Sequence, residues 1–175
     1  MIKHTVTSQY DDGYDGLNAA WLRLNIATPE NGGVIINESN DSTVVTEASG
    51  ADNTDSYTVK LAAAPVGIVY VTVSASRTTS REEVLGGDSM TVSTAAGPFD
   101  KYVVLAFNSS NWNMEQTVTV KGVNDTLAEG ERVYAISHTV QAADPADAAF
   151  NHLAVKNVKV TVLDKPKGVN RVARV

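Results

Sequence analysis

The stretch VNDTLAEGERVYAISHTV, residues 123–140, divides into two halves with different character. The first half gathers three carboxylates, Asp125, Glu129 and Glu131, beside Asn124 and Gly130. That composition suits a turn, because Asn, Asp and Gly tolerate the backbone angles that turns require. The second half, RVYAISHTV, is rich in β-branched and aromatic residues and is expected to form a strand. Its closing His-Thr-Val at residues 138–140 also occurs at residues 4–6. An acidic turn feeding a strand, with the strand's end repeated elsewhere, raises two questions. One is whether the carboxylates hold a cation. The other is whether the chain contains more than one copy of the same unit.

Working outward, period-2 alternation dominates the chain and helical period is nearly absent. SYTVKL places Tyr57, Val59 and Leu61 on one face, and GIVYVTVSAS does the same with Val69, Val71 and Val73. QTVTVKGV alternates Val118 and Val120 with Thr and Lys, and VKNVKVTVLD alternates Val158, Val160 and Val162 with Asn157, Lys159 and Thr161. STVVTE, SMTVS and YVVLAF are further strands, and the gaps between strands hold Gly, Pro, Asn, Asp and Ser. SREEVLGGDSM reads as a longer loop or hairpin tip, with no helix assigned to it. Many strands without interleaved helices predict an all-β fold, an antiparallel β-sandwich.

Composition narrows the function. The chain has 175 residues, enough for one sandwich and a fragment, and a net charge of −6, which disfavours nucleic acid or an anionic membrane as the main partner. It has no cysteine, so disulfide and thiol chemistry are excluded. No apolar run approaches the ~18 residues of a membrane span, and the first residues lack a signal-like apolar stretch. No nucleophile elbow, phosphate loop or His-rich metal spacing is present, so no enzymatic activity is expected.

The repeat is more extensive than His-Thr-Val. Residues 4–27 align with residues 138–163 after a two-residue gap: Tyr14 meets Phe150, Leu17 meets Leu153, and Leu22, Leu24 and Ile26 meet Val158, Val160 and Val162. His4 and His138 fall at equivalent positions, which points to a role within a strand. Residues 1–30 therefore read as an extra N-terminal β-hairpin, the closing two strands of a preceding partial repeat. Residues 31–165 read as a complete sandwich. Residues 166–175, with Lys167, Arg171 and Arg174, read as a basic tail that could begin the next repeat.

In order along the chain, several pieces resemble the Calx-β-like repeats of large bacterial cell-surface and secreted proteins. They are the Val-Thr strand followed by Glu47, then Asp-Ser-Tyr-Thr-Val, then Phe107 with Asn111-Trp112, then Gln-x-Val-x-Val, then Asp125 through Glu-Gly-Glu, then the closing strand ending at Asp164. The resemblance implies an immunoglobulin-like β-sandwich, a tandem arrangement, an extracellular or cell-surface location and Ca2+ at one end of the sandwich. Carried over residue by residue, it implies Glu47, Asp125, Glu129 and Asp164 as the calcium ligands, with Asp55 a weaker candidate. Two departures stand out. Asn124 precedes a single Asp125, and Lys165 follows Asp164.

Trp112 beside a strand start is expected to cover the end of the core. Trp21 falls on the face opposite Leu22, Leu24 and Ile26 and, with Val169 and Val172 of the tail, is a candidate interface residue. Three functions fit. The first is a non-enzymatic structural repeat of an adhesin or fibre, stiffened by calcium. The second is a filament subunit that joins copies of itself head to tail by strand exchange. The third is a module that binds glycan or another ligand.

Overall fold

The structure, a computed structural model, describes residues 10, 32–48, 51–95, 97–125, 130–151 and 153–164. The expected N-terminal hairpin, apart from residue 10, lies outside the described residues, as do Trp21, Glu129 and the basic tail with Val169 and Val172. Among the described residues nine strands form: β1 (Val34–Glu38), β2 (Thr43–Thr46), β3 (Thr54–Leu61), β4 (Val69–Ala75), β5 (Met90–Thr94), β6 (Tyr102–Phe107), β7 (Gln116–Gly122), β8 (Arg132–Ala142) and β9 (Val158–Leu163). They build a β-sandwich from a four-stranded sheet, β1-β3-β7-β5, and a five-stranded sheet, β2-β9-β8-β4-β6.

The alternating residues meet between the sheets as their spacing predicts. Val59, Val69, Val71, Val73, Val118, Val120, Val158 and Val160 are fully buried, and Tyr57, Leu61 and Val162 nearly so. Period 2 puts every second side chain on the inner face, so each strand contributes half of its residues to the core. Trp112 packs against that core, and its carbonyl accepts a 2.8 Å hydrogen bond from the Leu61 N–H.

Two features differ from the sequence reading. Most pairings are antiparallel, but β2 runs parallel to β9. The cause is a change of sheet: a 3-10 turn at Ser39–Asp41, with Asn40 and Asp41 at positive φ, carries the chain from β1 in one sheet to β2 in the other. Asp55 fixes this crossing by accepting the Ser39 hydroxyl at 2.7 Å, the Val44 N–H at 2.8 Å and the Ser56 N–H at 2.7 Å. The second difference is a short helix, α1 (Ser80–Val84), in the segment read as a loop. Its Ser-Arg-Glu-Glu run favours one turn, which gives way to Gly86 at φ +80°.

Two poles result. At the Val34 pole, β1 begins opposite the end of β3, and the Pro145–Phe150 turn lies beside Gly32. Asp147 in that turn is buried and accepts the Val66 and Gly67 N–H groups at 2.8 and 2.7 Å. At the Leu163 pole, β2, β7 and β9 end while β3, β5 and β8 begin. The chain thus enters the sandwich at one pole and leaves it at the other.

Candidate functional site

The Leu163 pole is assembled by close approach of the two sheets. Gly122 at the end of β7 presses on the end of β2, where a Cβ would sit 2.4 Å from the Thr46 carbonyl oxygen. The Asn53 side-chain amide clamps the contact by donating to the Thr46 and Gly122 carbonyls, both at 2.8 Å. Glu47 follows directly. Its N–H donates to the Leu163 carbonyl at 2.9 Å, and its side chain is buried, 1% exposed. Packing therefore brings Glu47 next to the segment that carries Asp164, although the two are far apart in sequence.

Asp125 and Asp164 reach the same pole. Val123 N–H donates to the Ser89 carbonyl at 3.1 Å, which joins the chain after β7 to the chain before β5. Asp125 then accepts the Asp88 N–H at 3.0 Å, and Asp164 accepts the Gly130 N–H at 3.1 Å. Asp88 was not among the residues singled out from the sequence. Its carboxylate binds the Lys101 ammonium, which also donates to the Met90 carbonyl at 2.9 Å. An acid immediately before a strand, in a segment read only as a loop, was the available signal.

The donor set at this pole is all oxygen, drawn from loops, and so has the chemistry of a hard divalent cation site. As placed, no three His, Cys, Asp or Glu side chains among the described residues stand close enough to hold one ion. The Lys101 ammonium already supplies positive charge on the Asp88 side.

Asp55 sits elsewhere and does other work, because its two oxygens are engaged by the crossing between β1 and β2. Asp55→Ala should lose about 1–2 kcal/mol of stability, read by urea denaturation, and should leave any calcium response intact. A calcium response abolished with stability unchanged would instead make Asp55 a ligand.

The buried His138 is a second polar feature. It lies in β8 opposite Val73, points into the core, and shares a 3.0 Å hydrogen bond through Nε2 with the Tyr57 hydroxyl of the other sheet. The rings meet edge to face, 5.6 Å apart. Burial lowers the imidazole pKa to about 4. The Lys156 backbone favours a proton on the ring, but among the described residues Nδ1 has no partner in hydrogen-bonding geometry, and burial prevails. Burial, with the Glu38 charge assisting, raises the Tyr57 pKa well above its usual value. The pair is a polar tie between sheets, consistent with a role for His138 within its strand.

A shallow hollow of about 270 Å³ lies beside Asn53, Phe99, Lys121 and Asn124. The Lys121 ammonium stands 5.2 Å from the centre of the Phe99 ring and occupies that aromatic face.

No protein-family model matches this sequence, and no curated protein matches it. Solved structures do. The apo form of the Calx CBD1 domain is 15% identical with a TM-score of 0.46, covering 77% of this chain and 99% of that one. The calcium binding domain CBD12 of CALX1.1 is 15% identical with a TM-score of 0.42, covering 74% of this chain and 44% of that one. A two-domain protein of unknown function from Bacteroides fragilis is 16% identical with a TM-score of 0.48, covering 78% of this chain and 47% of that one. Structural neighbours of this chain thus include Calx domains at low sequence identity. Among the described residues, no helix is long and apolar enough to cross a membrane.

Proposed function

We propose that this chain is a non-enzymatic structural repeat of an extracellular, cell-surface adhesin or fibre. The observation that carries this reading is the position of the two ends of the sandwich. The chain enters at the Val34 pole and leaves past Leu163 at the opposite pole, so successive copies extend in a line rather than folding back on one another. The sequence similarity of residues 4–27 to residues 138–163 supports the same arrangement. Calcium is the finer part of the proposal: Glu47, Asp125, Glu129 and Asp164 would hold it, and it would stiffen the pole through which the chain leaves. Supporting it are the all-oxygen donor set and the convergence of three of these residues on one pole.

Two measurements separate these parts. Two chains fused end to end should give a maximum dimension by small-angle scattering close to twice that of one chain. A compact, folded-back particle would overturn the repeat reading. Millimolar calcium should raise the melting temperature of the single chain by several degrees, since a ligand bound only to the folded state stabilises it by mass action. Identical melting in calcium and in chelator would remove the metal and leave the repeat standing.

A further inference from the structure

Among the described residues, four strands lie at sheet edges: β1 and β5 in one sheet, β2 and β6 in the other. Exposed edges invite pairing with another chain, and folds blunt them with charge, caps or covering segments. In two of these edges a backbone group is capped, and a third ends on a charged side chain. In β2 the Val44 N–H is capped by Asp55. In β5 the Val92 N–H and C=O are both bonded to the Asp100 backbone, at 2.8 and 2.9 Å. In β1 the strand ends on Glu38, which is gripped by Lys156 at 2.9 Å and by the Thr43 hydroxyl at 3.0 Å.

The edge at β6 is different. Ala75 N–H donates to the Lys101 carbonyl, so the odd-numbered residues of this segment bond to β4. Tyr102, Val104 and Ala106 therefore turn their backbone groups toward the open side. The Ala106 carbonyl is capped by the side chains of Asn111 and Gln116, which closes the far end. Among the described residues, none pairs with the run from the Tyr102 carbonyl through Val104 to the Ala106 N–H. Its residues YVVLAF contain no charge and no proline. Tyr102 and Val104 are 57% and 48% exposed, and with Ala106 they lie opposite Ser74, Thr72 and Tyr70 of β4 in an uncharged stripe on the outer face.

We propose that β6 pairs antiparallel with β6 of a second copy of this chain, about a two-fold axis at Val104, so that the two five-stranded sheets become continuous. Around that axis Val104 faces its own counterpart and exchanges both backbone hydrogen bonds with it. Each Ala106 N–H reaches the opposite Tyr102 carbonyl. The register is self-complementary, as an isologous contact requires. It sets Lys101 against Phe107, and Asp100, whose backbone is already bonded to Val92 of the other sheet, lies outside the pairing, so no like charges oppose each other. A second copy therefore fits this edge. The contact is lateral, and it is independent of the head-to-tail arrangement and of calcium.

The test is the mass of the full chain by light scattering across concentration. The weight-average mass should climb from 18.5 kDa toward twice that value as concentration rises. Val104→Lys should hold it at the monomer value, because two ammonium groups would meet at the axis. Val66→Lys, at a 72% exposed position outside the strands, should leave dimerisation unchanged. The native chain has no cysteine, so Val104→Cys under mild oxidation should yield a disulfide-linked dimer. Val133→Cys, exposed on β8, should not, and this pair of variants decides the question even if Val104→Lys fails to fold. A wild-type chain that stays monomeric up to about 1 mM overturns the proposal, as does a dimer that survives Val104→Lys. A monomer that dimerises only after deletion of residues 1–31 would put that segment on the edge and also overturns it.

Discussion

Acidification should destabilise this sandwich by about 2–3 kcal/mol between pH 6.5 and pH 4 through one residue, His138. The folded protein holds the imidazole neutral in its core, with a pKa lowered to about 4 by burial. In the unfolded chain the ring titrates near its ordinary value. Over the window between the two, the unfolded state binds more protons, so stability falls as the pH drops. Above pH 6.5 both states carry a neutral ring and the contribution is complete. Tyr57 limits the alkaline side with the opposite sign: its raised pKa keeps the folded phenol neutral while the unfolded one ionises, so stability falls above pH 10. Surface and loop carboxylates also titrate in acid, and the comparison that isolates the imidazole is wild type against His138→Gln. The difference in unfolding free energy between them, by urea denaturation, should change by 2–3 kcal/mol across the window. A difference that does not vary with pH would mean that the ring is not buried neutral.

Gly122→Ala should cost about 3 kcal/mol, at the upper end of overpacking effects. The added Cβ would lie 2.4 Å from the Thr46 carbonyl oxygen and 2.9 Å from its carbon, and both belong to backbone that cannot rotate aside. Relief requires separating β2 from β7, which also breaks the Asn53 clamp on both carbonyls. Because Glu47 is the next residue along, any calcium response should weaken together with stability. Thermal melting of the variant with and without calcium reads both effects. A neutral substitution would show that the sheets are not in contact at this point.

Much of the fold was legible in the alternation. Tyr57, Val59 and Leu61, Val69 to Val73, Val118 and Val120, and Val158 to Val162 occupy the core they were expected to occupy. Local spacing suffices there, because a strand with one buried face must place apolar residues at every second position. The parallel pairing of β2 with β9 was not legible. It depends on a turn at Ser39–Asp41 that moves the chain between sheets, and no periodicity reports which sheet a strand joins.

The candidate site divides the same way. Glu47, Asp125 and Asp164 were named from the resemblance of their surrounding sequence, and the structure places all three at the Leu163 pole. Asp88 and its Lys101 partner were not named, since the segment before β5 has no periodic pattern. The Tyr57–His138 tie was equally hidden, because its two members lie 81 positions apart and meet only across the sheets.

By itself, the sequence determined which residues of the described strands face inward and where those strands give way to turns. Those properties follow from side-chain hydrophobicity and backbone stereochemistry over a few neighbouring residues. Tertiary structure alone decided that Asp88 joins the other acids at one pole, that the chain leaves the sandwich opposite where it enters, and that the middle of the β6 edge has no backbone partner among the described residues. Each of these is a long-range arrangement set by how the two sheets close on each other, and no local stretch of the chain encodes it.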